Sequence, residues 1–105
     1  MGLDINSKDK KGSSPLHWAC YSQAETAMQF ILALKPNIDQ TDREGFTPLH
    51  ITVRGLDEFE TSRPIKVLLI SGASLDISDN IGNFPIDYSS EIKTEYLRNE
   101  LKRIF

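Results

Sequence analysis

The apolar residues of the chain fall into short stripes at helical spacing. Within residues 25–34 they recur at i, i+3, i+4 and i+7, the spacing of one buried helix face, at Ala27, Phe30, Ile31 and Leu34. Two similar stripes follow Pro64 and Thr94, with Ile65, Leu68 and Leu69 in the first and Leu97, Leu101, Ile104 and Phe105 in the second. The pattern therefore predicts three amphipathic helices.

A shorter helix is predicted ahead of the first two stripes. Ser14 and Thr47 are good N-cap residues, and each is followed by a proline, which is tolerated at the first helical position. These signals predict helices over residues 17–22 and 50–54. Gly72 follows the second stripe and suits a left-handed helix end.

The chain is built from a repeated unit. The segment that begins Asp9-Lys-Lys-Gly aligns without a gap with the segment that begins at Asp42, 33 residues later, and again with the segment at Asp79, a further 37 residues on. We divide the chain into a tail of a preceding repeat (1–8), repeat 1 (9–41), repeat 2 (42–78) and repeat 3 (79–105). Repeat 2 carries four extra residues, which we assign to the segment 55–63.

The period and the sequence Thr47-Pro-Leu-His50 resemble the ankyrin repeat. Ser14-Pro-Leu-His17 differs by one residue, and Leu68-Leu-Ile-Ser-Gly-Ala73 matches the end of the family's second helix. The resemblance implies an all-α solenoid of about three helix-turn-helix repeats, joined by hairpin-like turns at 8–12, 41–45 and 78–82. The residues expected in its core are Leu16, Ala19, Ile31, Leu32, Leu49, Val53, Leu68, Leu69, Ile86 and Leu101.

Repeat 3 departs from the family pattern. Phe84 and Asp87 stand where threonine and histidine are expected, and such departures suit a last, capping repeat. Residues 2–6 resemble the end of another repeat, so we expect the chain to be a piece of a longer protein.

Composition narrows the class of protein. The 105 residues carry a formal net charge of −3, which argues against a nucleic-acid partner. The longest apolar runs are too short for a transmembrane helix, so no direct membrane insertion is expected. The single cysteine excludes an internal disulfide framework and a multi-cysteine zinc site. We expect a monomeric cytoplasmic domain.

Three residues invite a chemical interpretation and do not support it. His17 and His50 occupy the same repeat position, where the resemblance implies hydrogen bonds between neighbouring repeats, so no metal is predicted. Cys20 stands where the family usually has a core alanine, which indicates a buried, inert thiol. Because no phosphate-binding glycine motif and no convergent catalytic set are found, we expect no cofactor and no enzymatic activity.

The resemblance places ligands on the concave side of the solenoid, formed by the hairpins and the first helices. The residues predicted to bind a partner there are Lys10, Lys11, Ser13, Trp18, Tyr21, Arg43, Glu44, Phe46, Arg54 and Asn83. Phe46 is predicted to be an exposed aromatic anchor, whereas Trp18 is equally consistent with core and with binding. Arg43 and Arg54 are expected to be available for a carboxylate or a peptide carbonyl.

Two functions follow from these expectations. The first is a protein-interaction module that docks another protein or an extended peptide across repeats 1 and 2. The second arises because residues 15–27 and 61–65 resemble the ankyrin arrays of DHHC-type palmitoyltransferases, which recruit substrates at the cytosolic face of a membrane. The insertion is either a tolerated surface loop or a contact point.

Overall fold

The computed structural model describes residues 4–105, so the first three residues of the predicted tail lie outside it. The described chain is all-helical and contains no strand, as the sequence predicts. Its helices are α1 (Pro15–Tyr21), α2 (Glu25–Ala33), α3 (Pro48–Arg54), α4 (Leu56–Phe59), α5 (Arg63–Ile70), a 3₁₀ helix (Pro85–Glu91) and α6 (Glu95–Ile104). They form an elongated stack of 46 × 29 × 21 Å.

Each of the first two repeats opens with a capping box. The Ser14 hydroxyl accepts a hydrogen bond from the backbone N–H of His17, and His17 Nδ1 accepts one from the backbone N–H of Ser14 at 3.1 Å. Thr47 and His50 repeat this exchange at the start of α3. Because proline occupies the first helical position, both helices begin two residues earlier than predicted.

The turns between repeats are stacked hairpins. In each hairpin an aspartate oxygen accepts two backbone N–H groups, as Asp42 does from Glu44 and Phe46 at 2.9 Å. Successive hairpins are joined by backbone bonds from Arg43 to Lys11 and from Asn80 to Glu44. Gly45 has a φ of 82°, and a Cβ there would lie 2.7 Å from the Asn80 nitrogen, so this position requires glycine.

The face that α2 buries differs from the prediction. Met28 is fully buried, whereas Phe30 is 68% exposed and Leu34 is also exposed. Each helical residue turns by about 100°, so Phe30 and Leu34 project from the side opposite Met28. Among the described helices, α2 packs chiefly against α1.

The core runs along the stack between the paired helices. Its fully buried members include Leu16, Leu49, Leu68 and Leu101, as predicted. The prediction was wrong for four residues that are only partly buried: Ile31, Leu32, Leu69 and Ile86. Ile31 and Leu32 lie in α2, Leu69 in α5 and Ile86 in the 3₁₀ helix. Leu97 and Leu101 anchor α6, with Ile104 and Phe105 packed partly against the core.

Repeat 3 begins with a 3₁₀ helix instead of an α-helix. Asp87 replaces the histidine of the first two repeats, and its carboxylate accepts the backbone N–H of Phe84 at 2.8 Å. Half of the capping box is therefore kept, whereas Phe84 at the N-cap has no side-chain oxygen to accept the return bond.

The inserted segment of repeat 2 is ordered as α4. Leu56 is fully buried and Phe59 partly so. Asp57 accepts the backbone N–H groups of Lys93 and Thr94, at 2.8 and 3.1 Å, immediately before α6. The insertion is thus a structural link between repeats 2 and 3.

Candidate functional site

The hairpins, α1, α3 and the 3₁₀ helix together form one surface, which we call the inner face. Two cavities open on it. The first, of about 470 Å³, lies between the first two hairpins and is lined by Lys11, Ser13, Trp18, Tyr21, Asp42, Arg43 and Glu44. The second, of about 390 Å³, lies near the C-terminal ends of α1 and α3 and is lined by Cys20, Tyr21, Gln23, Phe46, Ile51, Arg54, Gly55, Glu58 and Glu91. Tyr21 borders both.

Two aromatic side chains stand at the first cavity. Trp18 is 48% exposed and Tyr21 is 51% exposed, and their ring centroids lie 6.1 Å apart at an angle of 53°. The indole Nε1–H of Trp18 donates to Asp9 Oδ2 at 2.7 Å, which fixes the ring against the first hairpin. Both residues are on α1, so the repeat scaffold itself holds them in place.

Phe46 is not the exposed anchor that the sequence predicts. It is 6% exposed and packs edge-on against Tyr88, with ring centroids 6.0 Å apart. The guanidinium of Arg54 covers the Phe46 ring at 5.1 Å and the Tyr88 ring at 4.7 Å. Phe46, the hairpin residue after Gly45, is therefore covered by Tyr88 of repeat 3 and belongs to the core between repeats.

Other predicted partner-binding residues are also placed differently. Ser13 is buried, so it lines the first cavity with very little surface. Arg54 contacts the two rings and forms an ion pair with Glu91, whose Oε1 lies 3.4 Å from its Nε. Contrary to the prediction, it is therefore not a free cation. Asn83 is half-buried, and its backbone carbonyl and N–H bind His50 and Asp79.

The remaining predicted residues are exposed at the hairpin tips: Lys10, Lys11, Arg43 and Glu44. The first cavity brings Lys11, Arg43 and Glu44 together with the two aromatics, whereas Lys10 and Asn83 line neither of the two cavities described.

The two histidines connect one repeat to the next. The Nε2 atoms of His17 and His50 lie 2.8 and 3.0 Å from the carbonyl oxygens of Phe46 and Asn83. Since Nδ1 of each ring accepts a backbone N–H, Nε2 carries the proton and donates it to the next repeat. Burial lowers the pKa of His17, with the bond to Phe46 opposing this shift, so the ring is neutral at pH 7.

A family model described as ankyrin repeats (3 copies) matches residues 1–79. The chain belongs to the ankyrin-repeat family. This assignment agrees with the hairpins, helix pairs and histidine bonds of the structure.

Several curated ankyrin proteins are similar to the chain. The SMC5-SMC6 complex localization factor protein 1 of Bos taurus is 38% identical over 99 residues, which is 90% of this chain and 9% of that protein. Palmitoyltransferase AKR1 of Saccharomyces cerevisiae is 32% identical over 99 residues, covering 93% of this chain and 12% of that protein. Ankyrin repeat protein OPG189 of Variola virus is 30% identical over 86 residues. The chain thus spans roughly a tenth of the first two relatives.

The ankyrin scaffold leaves Cys20 chemically quiet. Its side chain is buried between α1 and α3, and this burial raises the pKa of the thiol to about 12 despite a hydrogen bond with Thr52. A thiol in that state carries almost no thiolate at neutral pH. This is the buried cysteine that the sequence predicts.

Within residues 4–105, no group of three or more His, Cys, Asp or Glu side chains is arranged to hold a metal ion. Of the helices formed by the same residues, none has the length and apolar character needed to span a bilayer.

Asp42 is a functional candidate that the sequence prediction omits. In the aligned ankyrin repeats, positions 18, 51 and 88 are equivalent and follow the hairpin aspartates Asp9, Asp42 and Asp79. Trp18 donates to Oδ2 of Asp9, and the Tyr88 hydroxyl donates to Oδ2 of Asp79. Repeat 2 has Ile51 at this position, which has no donor.

Among residues 4–105 we find hydrogen bonds to Oδ1 of Asp42 but none to its Oδ2. Asp42 lines the first cavity, beside Trp18 and Tyr21. The sequence does carry a signal for Asp42. Repeat 2 has Ile51 at the position where the other two repeats have Trp18 and Tyr88, which are aromatic hydrogen-bond donors.

Proposed function

We propose that the inner face binds a partner protein through an extended segment that lies across repeats 1 and 2. Ankyrin-repeat domains generally serve as protein-interaction modules, and this chain is one of them. The observation that carries the proposal is the pair of half-exposed aromatics, Trp18 and Tyr21, beside a cavity of about 470 Å³. Aromatic side chains on a rigid helix contribute much binding energy at low entropic cost.

The domain is further proposed to act by binding alone, without catalysis. The polar groups nearest to a catalytic arrangement are already committed to the scaffold. His17 and His50 use both ring nitrogens in hydrogen bonds, and the pKa of the Cys20 thiol is about 12. Neither a general base nor a nucleophile is supported at these positions.

The test is selection followed by mutation. Peptides are selected against the wild-type chain from a display library of intracellular protein segments, and the strongest are titrated against Tyr21→Ala and Phe30→Ala. Both variants lose an exposed aromatic ring, but Phe30 lies on α2, away from the inner face. Tyr21→Ala should weaken binding by more than about 1 kcal/mol, and Phe30→Ala should not. Equal affinities of the two folded variants would reject the inner face as the binding surface.

A second candidate function is favoured by one of the comparisons. We propose, as the alternative, that this domain recruits substrates for a membrane-bound protein S-palmitoyltransferase, acting at the cytosolic face. The support is the similarity to palmitoyltransferases AKR1 of S. cerevisiae and Lachancea kluyveri. The coding sequence around this chain decides the matter, because a DHHC cysteine-rich segment with four hydrophobic spans is required; without it, the alternative fails.

A further inference from the structure

The first cavity of the inner face has an aromatic wall and an acidic wall. Trp18 and Tyr21 form the aromatic wall, with their ring centroids 6.1 Å apart. Asp42 and Glu44 supply the carboxylates. Ring faces and carboxylates both attract positive charge, so the two walls favour the same kind of ligand.

We propose that this cavity receives a single lysine or arginine side chain of the partner, with its charged group at Asp42 Oδ2 and its aliphatic stem against Trp18 and Tyr21. The inference rests on the proposed binding role of the inner face and names the chemistry that the face selects. Among residues 4–105, no group donates to Oδ2 of Asp42, whereas the corresponding oxygens of Asp9 and Asp79 have donors within their own repeats. A partner cation supplies the missing donor.

Electrostatics at the aromatic wall agree with this geometry. The pKa of Tyr21 is raised by burial first, and then by the negative charges of Asp42 and Glu44, with Arg54 opposing them. The Asp9 carboxylate accepts the indole N–H of Trp18, which leaves more electron density on the ring. A cation within about 6 Å of such a ring gains a further attraction.

The positive residues of the same cavity define what surrounds the bound side chain. Lys11 and Arg43 are exposed at the tips of the first two hairpins, so they repel a run of basic residues. They attract acidic residues on either side of one cation. The partner segment is therefore a lone lysine or arginine flanked by acidic or neutral residues.

The experiment uses the single tryptophan of the chain as its reporter. An acetylated and amidated peptide, Gly-Asp-Gly-Lys-Gly-Asp-Gly, is titrated into ¹⁵N-labelled protein while the indole Nε1–H resonance of Trp18 is followed. Matched peptides carry arginine, norleucine or glutamate in place of the lysine. The lysine and arginine peptides should shift the resonance with saturation, and the norleucine and glutamate peptides should bind at least about fivefold more weakly.

Variants of the chain locate the cation. Asp42→Asn keeps the Oδ1 acceptor that holds the hairpin and removes the charge, so it should weaken the lysine peptide about fivefold. Glu44→Gln, at an exposed position where folding is not at risk, should weaken it about twofold. Asp79→Asn makes the same change in the hairpin of repeat 3 and should leave the affinity unaltered.

Two results would overturn the proposal: norleucine binding as well as lysine, or lysine binding unchanged in Asp42→Asn. If either is found while Tyr21→Ala still weakens the selected peptides, the inner face binds partners but does not select a cation. If Tyr21→Ala has no effect on those peptides, the proposed function itself fails.

Discussion

At the scale of the residue, the repeated histidine makes two kinds of hydrogen bond, of which the family resemblance implied only the bond to the next repeat. Its Nδ1 completes the capping box of its own helix, and its Nε2 donates to the next repeat, as His17 does to Phe46. Both hydrogen bonds require a neutral ring with its proton on Nε2. Protonation of Nδ1 would convert an acceptor into a donor and place a charge in the core.

The first prediction follows from the pKa of His17, which lies below the ordinary value of 6.5 because the ring is buried. In the window below about pH 6.5, the unfolded chain binds a proton at this residue and the folded chain does not. The contribution of His17 to the free energy of unfolding should therefore be fully present above that pH. The free energy of unfolding should fall as the pH is lowered towards the folded-state pKa. Urea titrations at a series of pH values measure the effect.

His17→Gln serves as the control for this dependence. It should be less stable than wild type at pH 7.5 and show a flatter decline between about pH 6.5 and 5, because the titrating group is gone. The carboxylates with lowered pKa values, Asp9, Asp57, Asp79 and Glu100, act at lower pH, since the ordinary values are 3.8 for the aspartates and 4.5 for Glu100. An identical slope in both proteins would show that His17 does not titrate in this window.

At the scale of the element, the insertion of repeat 2 has become a helix with a structural task. α4 buries Leu56, and its Asp57 takes the two backbone N–H groups that precede α6. The Tyr96 hydroxyl of α6 donates back to the carbonyl of Glu60 at 3.0 Å. The sequence left open a tolerated surface loop or a contact point, and the structure adds a role that neither interpretation names, a link to α6.

The second prediction concerns Asp57, whose pKa is lowered chiefly by the backbone hydrogen bond from Lys93. Asp57→Ala removes the acceptor for the N-terminus of α6, so the midpoint of thermal unfolding should fall by several degrees and amide exchange in residues 93–98 should accelerate. Glu58→Ala, on the same helix, is the matched control and should resemble wild type. Unaltered exchange in Asp57→Ala would mean that α4 does not hold α6.

The sequence predicted where helices lie more accurately than which faces they bury. The end of α2 was placed within one residue, since helix signals are local. The buried face was wrong at Phe30 and Leu34 because a stripe at i, i+4 does not reveal which side meets a neighbour. Likewise, Asp87 was correctly seen as a departure, but its capping bond to Phe84 depends on the backbone around it.

At the scale of the whole molecule, a cluster of three rings, Phe46, His50 and Tyr88, packs between repeats 2 and 3. Phe46 of repeat 2 contacts His50 and Tyr88, with centroid distances of 5.7 and 6.0 Å, and Arg54 covers the group from outside. Tyr88 of repeat 3 thus contacts both Phe46 and His50 of repeat 2. Such contacts between neighbouring repeats add to the intrinsic stability of each repeat in a solenoid.

The third prediction follows from this cluster of rings. Phe46→Ala should lower the free energy of unfolding by about 3–5 kcal/mol, the usual range for a buried aromatic. Tyr21→Ala, which removes a half-exposed ring from α1, should lower it far less. Urea titrations followed by circular dichroism measure both. A loss for Phe46→Ala within error of zero would place its ring outside the core.

The candidate site was predictable in its aromatic half but not in its acidic half. Trp18 and Tyr21 are exposed at a cavity as residues of a first helix on the inner face. Phe46 was misjudged because its burial depends on Tyr88 and Arg54, both of which are distant in sequence. The sequence prediction omits Asp42 because the difference between its Oδ2 and the equivalent oxygens is visible only in the structure. Among residues 4–105, the equivalent oxygens of Asp9 and Asp79 accept hydrogen bonds and Oδ2 of Asp42 does not.

The single thiol of the chain, at the junction of the first two repeats, offers a way to measure how often these repeats separate. Cys20 lies against Thr52 of α3 and is almost unreactive while that contact is closed. A thiol reagent added to the native protein therefore modifies it only during the moments when repeat 1 lifts away. The labelling rate, divided by that of an unprotected thiol, gives the equilibrium for opening at this single boundary. The chain thus reports the opening of this boundary through its own natural cysteine, with no engineered labelling site.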